Sequence, residues 1–351
     1  MNSTFLPSDV TLLLKDVSGM LEPMSTSGRE AQIQSGVHYS EMLPLEYSPS
    51  QEYIRTYENA LNEFAGITAA AVAAVSDKLF RLKSGNIVLV SLARSGTPIG
   101  VLIKRYIKYK YGVDAPHYSV SIIRGKGIDH NAVRFLLERH APEHIQFVDG
   151  WIGKGAILRE LKAALTKYPQ ISSELAVLAD PAQVTSLYGT REDFLIASAC
   201  LNSTACGLIS RTILRPDLIE LNDYHGAVFF GELRSYDRTY EFINQIEQSF
   251  KNGNYRVSEN EETAVSGLEE TRQIAERFGV KNINFVKPSV GETTRVLLRR
   301  VPDIILVKPD CDPRYISHLL TLVKEKNVQV IEYSLINYNA CGIIKSLNAD
   351  I

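Results

Sequence analysis

From about residue 80 to 180 the chain alternates between short apolar runs and longer stretches whose apolar positions recur every three to four residues. The runs at 87–91, 118–123, 145–148 and 175–179 are continuous, as a strand buried on both faces requires. Between them, 97–109, 130–140 and 153–165 carry helical spacing. Strand, helix, strand in repetition predicts right-handed crossovers and a parallel sheet with helices on both sides. Further runs at 194–197 and 227–230 would extend that sheet. Ahead of it, 51–80 combines frequent alanine with 3.6-residue periodicity and predicts a long helix. The first fifty residues are rich in Ser, Pro, Gly and Met, and predict an irregular arm.

The stretch 252–262 is polar and reads as a linker. Beyond it the pattern restarts with a helix at 268–278, a strand at 304–307, a helix at 314–324, a strand at 328–333 and a helix around 340–347. The expected organisation is an arm at 1–50, an α/β domain at 51–255 and a small second α/β domain at 265–351. With 351 residues, the chain is too long for one ordinary core.

A net charge of −2 excludes a molecule-wide field for nucleic acid and leaves room for a local basic face. The longest apolar run, near 67–75, falls far short of the roughly 20 residues of a membrane helix. The N-terminus lacks the basic start and apolar stretch of a secretory signal, so a cytoplasmic location is expected. Cys200, Cys206, Cys311 and Cys341 form no CxxC pair and no zinc spacing with histidine, and read as reduced thiols.

In an open parallel sheet, ligands bind past the carboxyl ends of the strands. The loop after 87–91 holds Arg94, Ser95, Gly96 and Thr97 ahead of Pro98, a turn suited to an anion. The loop after 118–123 holds Arg124, Gly125, Lys126 and Gly127, a basic arm able to close over a polyanion. The loop after 145–148 holds Asp149, Gly150, Gly153, Lys154, Gly155 and Ala156 before a helix. It is neither GxxxxGK[ST] nor GxGxxG, so nucleotide P-loop and dinucleotide readings are poor. Together the three loops suit a ligand with two separated phosphates and a sugar between them.

Val148-Asp149-Gly150-Trp151-Ile152-Gly153-Lys154-Gly155 resembles a degenerate sugar-phosphate loop of type I phosphoribosyltransferases, and Arg94–Thr97 resembles that family's pyrophosphate loop. The stretches SLARSGTPIGVLIKR, HYSVSIIRGKGID, FVDGWIGKGAI, LADPAQVTSLYGTREDFLIASACLNSTACGLISRT and DYHGAVFFGELRSYD resemble one family. It is the phosphoribosyltransferase-like proteins of bacterial tellurite and stress-response (Ter) operons, also labelled the cysteine protease StiP family. VGETTRVLLRRVPDIILVKPD and EYSLINYNACGIIKSL resemble the pelota-like RNA-binding domain, related to L7Ae-type modules, at that family's C-terminus.

The resemblance implies phosphoribosyl transfer from PRPP, with Mg²⁺ carried by PRPP, in synthesis of a stress-related nucleoside. Gly153–Gly155, Ala156 and Lys154 would hold the 5-phosphate, Asp149 the ribose hydroxyls, and Arg94–Thr97 the pyrophosphate. Arg124 and Lys126 would close over the pyrophosphate. Asn202, Ser203 and Thr204 would read an acceptor base. The common second acid is Gly150 here, which puts ribose and magnesium handling in doubt. Two alternatives stand beside transfer. One is a cysteine protease with Cys200 or Cys206 as nucleophile and His225 as base; the other is a non-catalytic binder of PRPP, a nucleotide or RNA. For each thiol the plain alternative is a small buried apolar residue, and for His225 a hydrogen-bonded structural histidine. Arg211 pairs with a phosphate or simply with a carboxylate. Arg295, Arg299 and Arg300 form a cationic cluster that is a solvated helix face by default, and the resemblance raises RNA contact above it.

Overall fold

The computed structural model describes residues 1–25, 28–29, 32–33, 35–253 and 263–345. Most of the expected linker, from 254 to 262, lies outside them. The arm is not wholly irregular. Its strand β1 (Thr11–Leu13) joins the main sheet, and β2 (Lys15–Asp16) pairs elsewhere. The long helix α1 (Gln51–Leu82) follows, its first turn capped by the Ser50 hydroxyl, which accepts from the Tyr53 N–H.

The repeating pattern then becomes β3 (Val88–Ala93), α2 (Gly96–Tyr111), β4 (His117–Ile123), β5 (Gly127–Ile128) and α3 (His130–Leu137). It continues through β6 (Ile145–Trp151), α4 (Ala156–Leu165), β7 (Leu175–Ala179) and β8 (Tyr188–Thr190). Strand order is β1-β4-β3-β6-β7-β8, every neighbour parallel, and β5 folds back antiparallel on β4. β4 buries nearly every side chain and β7 every one, which is why both read as unbroken apolar runs. One face of the sheet packs on α1, α2 and the later helix α5 (Thr239–Lys251), and the other on α3 and α4.

Two expected sheet extensions take other forms. The run 194–197 leads instead into a 3₁₀ turn, Ala197–Ala199. The run 227–230 contributes only β9 (Gly226–Ala227), which pairs with β2, off the main sheet.

The C-terminal unit runs α6 (Gly267–Arg277), β10 (Val286–Pro288), α7 (Val290–Arg299), β11 (Pro302–Val307), α8 (Pro313–Lys326), β12 (Gln329–Glu332) and β13 (Ala340–Ile344). Its four strands lie in the order β10-β13-β11-β12. The helix expected around 340–347 is therefore strand β13 as far as Ile344, antiparallel to both β10 and β11. Its Ala-Cys-Gly-Ile-Ile sequence ends in β-branched residues that pack well on a pleated sheet.

The two units share one core. Val290, Leu297, Leu319 and Ala340 belong to the same buried cluster as Phe64, Phe194 and Leu195. The Phe64 ring of α1 sits 5.8 Å from Phe194 and 5.9 Å from Tyr315 of α8. Burying one such ring contributes roughly 1.5–3 kcal/mol, so these contacts fix how the units meet.

Candidate functional site

The turn between β3 and α2 presses against the end of β6. A Cβ on Gly96 would lie 2.7 Å from the Val148 carbonyl oxygen, so only glycine fits. That approach brings the Ser95 hydroxyl to the Asp149 carboxylate, donating at 3.2 Å, and the Gly150 N–H donates to the same oxygen at 2.8 Å. Burial still dominates and raises Asp149 to about 6. Thr97 turns inward, its hydroxyl 2.7 Å from that of Ser119.

The first and third expected phosphate loops meet only at Ser95, Gly96 and Asp149. Arg124 of the second loop and Lys154 of the third turn to the C-terminal unit instead of a shared anion site. Lys154 points into the C-terminal unit, donating to the carbonyls of Ile283 at 2.6 Å and Val286 at 2.9 Å. Burial lowers its ammonium to about 8. Tyr338 donates to the Gly153 carbonyl at 2.6 Å. Gly155, with φ +77°, caps α4, and Ala156 is that helix's first residue. The chain's own C-terminal unit thus covers the glycine loop. The basic arm is a tight hairpin through β5, its Arg124 N–H donating to Tyr39 and its Gly125 N–H to Glu160. The Arg124 guanidinium reaches Asn284 at 3.3 Å, and Lys126 is exposed.

A different hollow forms between the units. It holds about 390 Å³ and is lined by Arg94, Arg211, Lys287, Arg295, Arg299 and Arg300, with Glu292 the acid of the lining. Arg94 donates to the Ile209 carbonyl at 3.1 Å, with the Glu46 carboxylate 4.0 Å away. Burial, with Arg29 and Arg94 adding repulsion, lowers Arg211 to about 10. Arg295 pairs with Glu292 at 3.3 Å and lies over the Trp151 ring at 4.6 Å.

The two arginines of α7 clamp the turn that carries the thiols. Arg295 donates to the Ala199 carbonyl at 3.3 Å and Arg299 to the Cys200 carbonyl at 2.7 Å. Arg299 also bonds the Asn202 side chain. The α7 cluster is therefore largely an interdomain clamp, with only Arg300 exposed. Asn202 lines the hollow, whereas Ser203 donates to Glu46 and Thr204 is buried, its carbonyl accepting from the Arg238 N–H. The trio expected to read a base is thus split.

Cys200 is fully buried, and burial raises its thiol to about 12 against Arg299 and Arg295. Cys206 retains 3% exposure; burial raises it to about 11, opposed by Arg94, Arg295 and Arg299 and reinforced by Glu46. His225 is engaged elsewhere. Its ring Nδ1 lies 2.8 Å from the Ser121 hydroxyl, and its backbone N–H donates to the Asp129 carboxylate at 2.6 Å. Burial lowers its pKa. These bonds are those of a structural histidine, and no hydrogen bond joins it to either thiol among the described residues. Sequence reasoning did not single out Lys287, Glu292 or Glu46. Each is an isolated charge in its local sequence, and only the meeting of the two units gives it a place.

Comparisons with known proteins agree along the whole chain. Residues 3–247 match the family model described as tellurite-like stress resistance cysteine protease StiP, and residues 265–346 match the pelota RNA binding domain. A protein of Acinetobacter baylyi named cysteine protease StiP is 34% identical over 366 aligned positions, covering 99% of this chain and 94% of that protein. These matches overturn the phosphoribosyltransferase expectation, because the family model and the relative both carry a hydrolase's name. PRPP and a base acceptor gain no support from them, and Mg²⁺ was expected only as PRPP's companion.

Proposed function

This chain belongs to the StiP family, and from that membership we propose that it is a cysteine peptidase with Cys206 as nucleophile and an RNA-binding C-terminal unit. One observation carries the peptidase reading: the turn from Cys200 to Cys206 stands at the wall of a hollow lined by six cations. Guanidinium charge favours thiolate over thiol. Cys206 feels three such groups and keeps a trace of exposure, which ranks it above Cys200. Its sulfur would attack the peptide carbonyl carbon, the thiol proton passing to the departing amine. Water would then hydrolyse the thioester, its oxygen leaving in the new carboxyl group and its proton returning to the sulfur.

A thiol near 11 is almost wholly protonated at neutral pH. The described arrangement is therefore a resting one. Substrate entry would admit water to the sulfur while Arg94, Arg295 and Arg299 stay beside it. RNA contact falls to surfaces of the C-terminal unit other than Arg295 and Arg299, which are occupied by the thiol turn.

The test is hydrolysis of a denatured protein substrate by the full-length chain, with labelled RNA binding followed by polarisation on the same preparation. Cys206→Ser is expected to lower hydrolysis by about 100-fold or more, and Cys200→Ser by only a few-fold. Equal activity in both variants and the parent would remove the thiol from the mechanism, and the reverse order would move the nucleophile to Cys200.

A further inference from the structure

The interdomain hollow has more positive charge than its surroundings answer. Among the described residues, Arg211, Lys287 and Arg300 have no carboxylate within ion-pair distance. Arg299 spends its donors on a carbonyl and an amide oxygen, both neutral. Burial and mutual repulsion depress Arg211 and Arg299, each to about 10, and lower Lys287 as well. Bringing these groups together is costly unless an anion completes the set.

The chemistry of the missing anion is narrowed by what is absent from the lining. Among the described residues, the lining itself holds no aromatic side chain on which a nucleobase would stack; the Tyr39 and Trp151 rings lie against Arg211 and Arg295 instead. The hollow, about 390 Å³, is near the small end of ligand sites of roughly 300–1,000 Å³, enough for a few side chains. Guanidinium groups match carboxylates in a two-pronged geometry. Asn202, on the turn between the two thiols, lines the same hollow, so a chain seated there would pass along that turn, whose cysteines lie buried behind the wall.

We propose that this hollow is the specificity pocket of the peptidase and takes an acidic peptide, whose Asp or Glu carboxylates seat on Arg211, Lys287 and Arg300. The proposal rests on the peptidase reading for its biological sense and can fail separately from it.

Binding is measured by fluorescence polarisation on full-length Cys206→Ser protein, using a labelled peptide bearing consecutive Glu residues and its Gln counterpart. The Glu peptide is expected to bind at least about tenfold more tightly, with the advantage shrinking as salt rises. Arg300→Glu, at an exposed position, should erase most of that advantage, and Lys287→Gln part of it. Equal affinity for the two peptides would overturn the proposal, as would indifference to both substitutions. A single-stranded RNA that displaces the peptide, binds more tightly and loses affinity with the same substitutions would assign the hollow to nucleic acid instead. Cleavage by the parent protein separates the two ideas. Hydrolysis without acidic preference sinks the pocket and spares the peptidase, whereas acidic preference in binding without any hydrolysis sinks the peptidase.

Discussion

Cys206 sits where two opposing effects meet and burial wins. Removal from water raises the thiol, and three guanidinium groups pull it back, leaving it near 11. Iodoacetamide should therefore alkylate native Cys206 at a rate that climbs roughly tenfold per pH unit from 7 to 10, with no plateau near the ordinary thiol value. Peptide mapping of the alkylated protein checks this, and a plateau below 9 would mean the sulfur is ionised far more readily than its burial allows. Residue roles were the least legible part of the sequence. Cys200, Cys206 and His225 could be picked out as residue types, but only the fold reveals that the His225 ring bonds Ser121 while its backbone N–H is held by Asp129. Lys154 shows the same limit. Glycines on either side of a lysine look like an anion cradle, yet its ammonium is spent on two carbonyls 129 and 132 residues downstream in the chain.

At the scale of elements, the seam between β8 and the C-terminal unit is fastened by Asp193. Its carboxylate accepts from the Val290 N–H at the start of α7 and from the Asn339 N–H just before β13, at 2.9 and 2.8 Å. Burial raises its pKa to about 7, although these N–H groups pull the other way. The folded state then binds a proton that the unfolded chain releases above about 4. This group's contribution therefore favours folding below that value and is lost progressively as pH rises to about 7. Thermal unfolding of Asp193→Asn should show a weaker fall in stability between pH 4 and 7 than the parent. Identical slopes would mean Asp193 is ionised in the fold. Elements themselves were well marked in the sequence wherever a strand is buried on both faces, as 175–179 shows. They were misread where the context is short or two-residue: 194–197 had the apolar character of a strand without a neighbour to pair with, and the final strand had helical-looking spacing that pairing with β10 and β11 overrode.

On the scale of the whole molecule, α1 serves both units, and the core crosses from one to the other at Phe64, Phe194 and Tyr315. A chain ending at residue 253 would expose the apolar surface now covered by α7 and α8. It is expected to unfold at a clearly lower temperature than the full chain and to bind a hydrophobic dye such as ANS. Unchanged melting on differential scanning calorimetry would show that the shared core contributes little. No helix among the described residues is long and apolar enough to cross a membrane. The division into an α/β body and a small α/β tail was suggested by the return of the strand–helix pattern after the polar stretch. That the two would enclose a hollow was not, because its cations are scattered from Arg94 to Arg300.

Trp151 is the chain's one tryptophan, and the Arg295 guanidinium rests on its face. Indole emission responds to a nearby cation and to water, so a ligand that draws Arg295 off this ring changes the light it gives off. The protein thus carries its own optical reporter of occupancy, and stopped-flow mixing with an acidic peptide can follow it in real time without an added label.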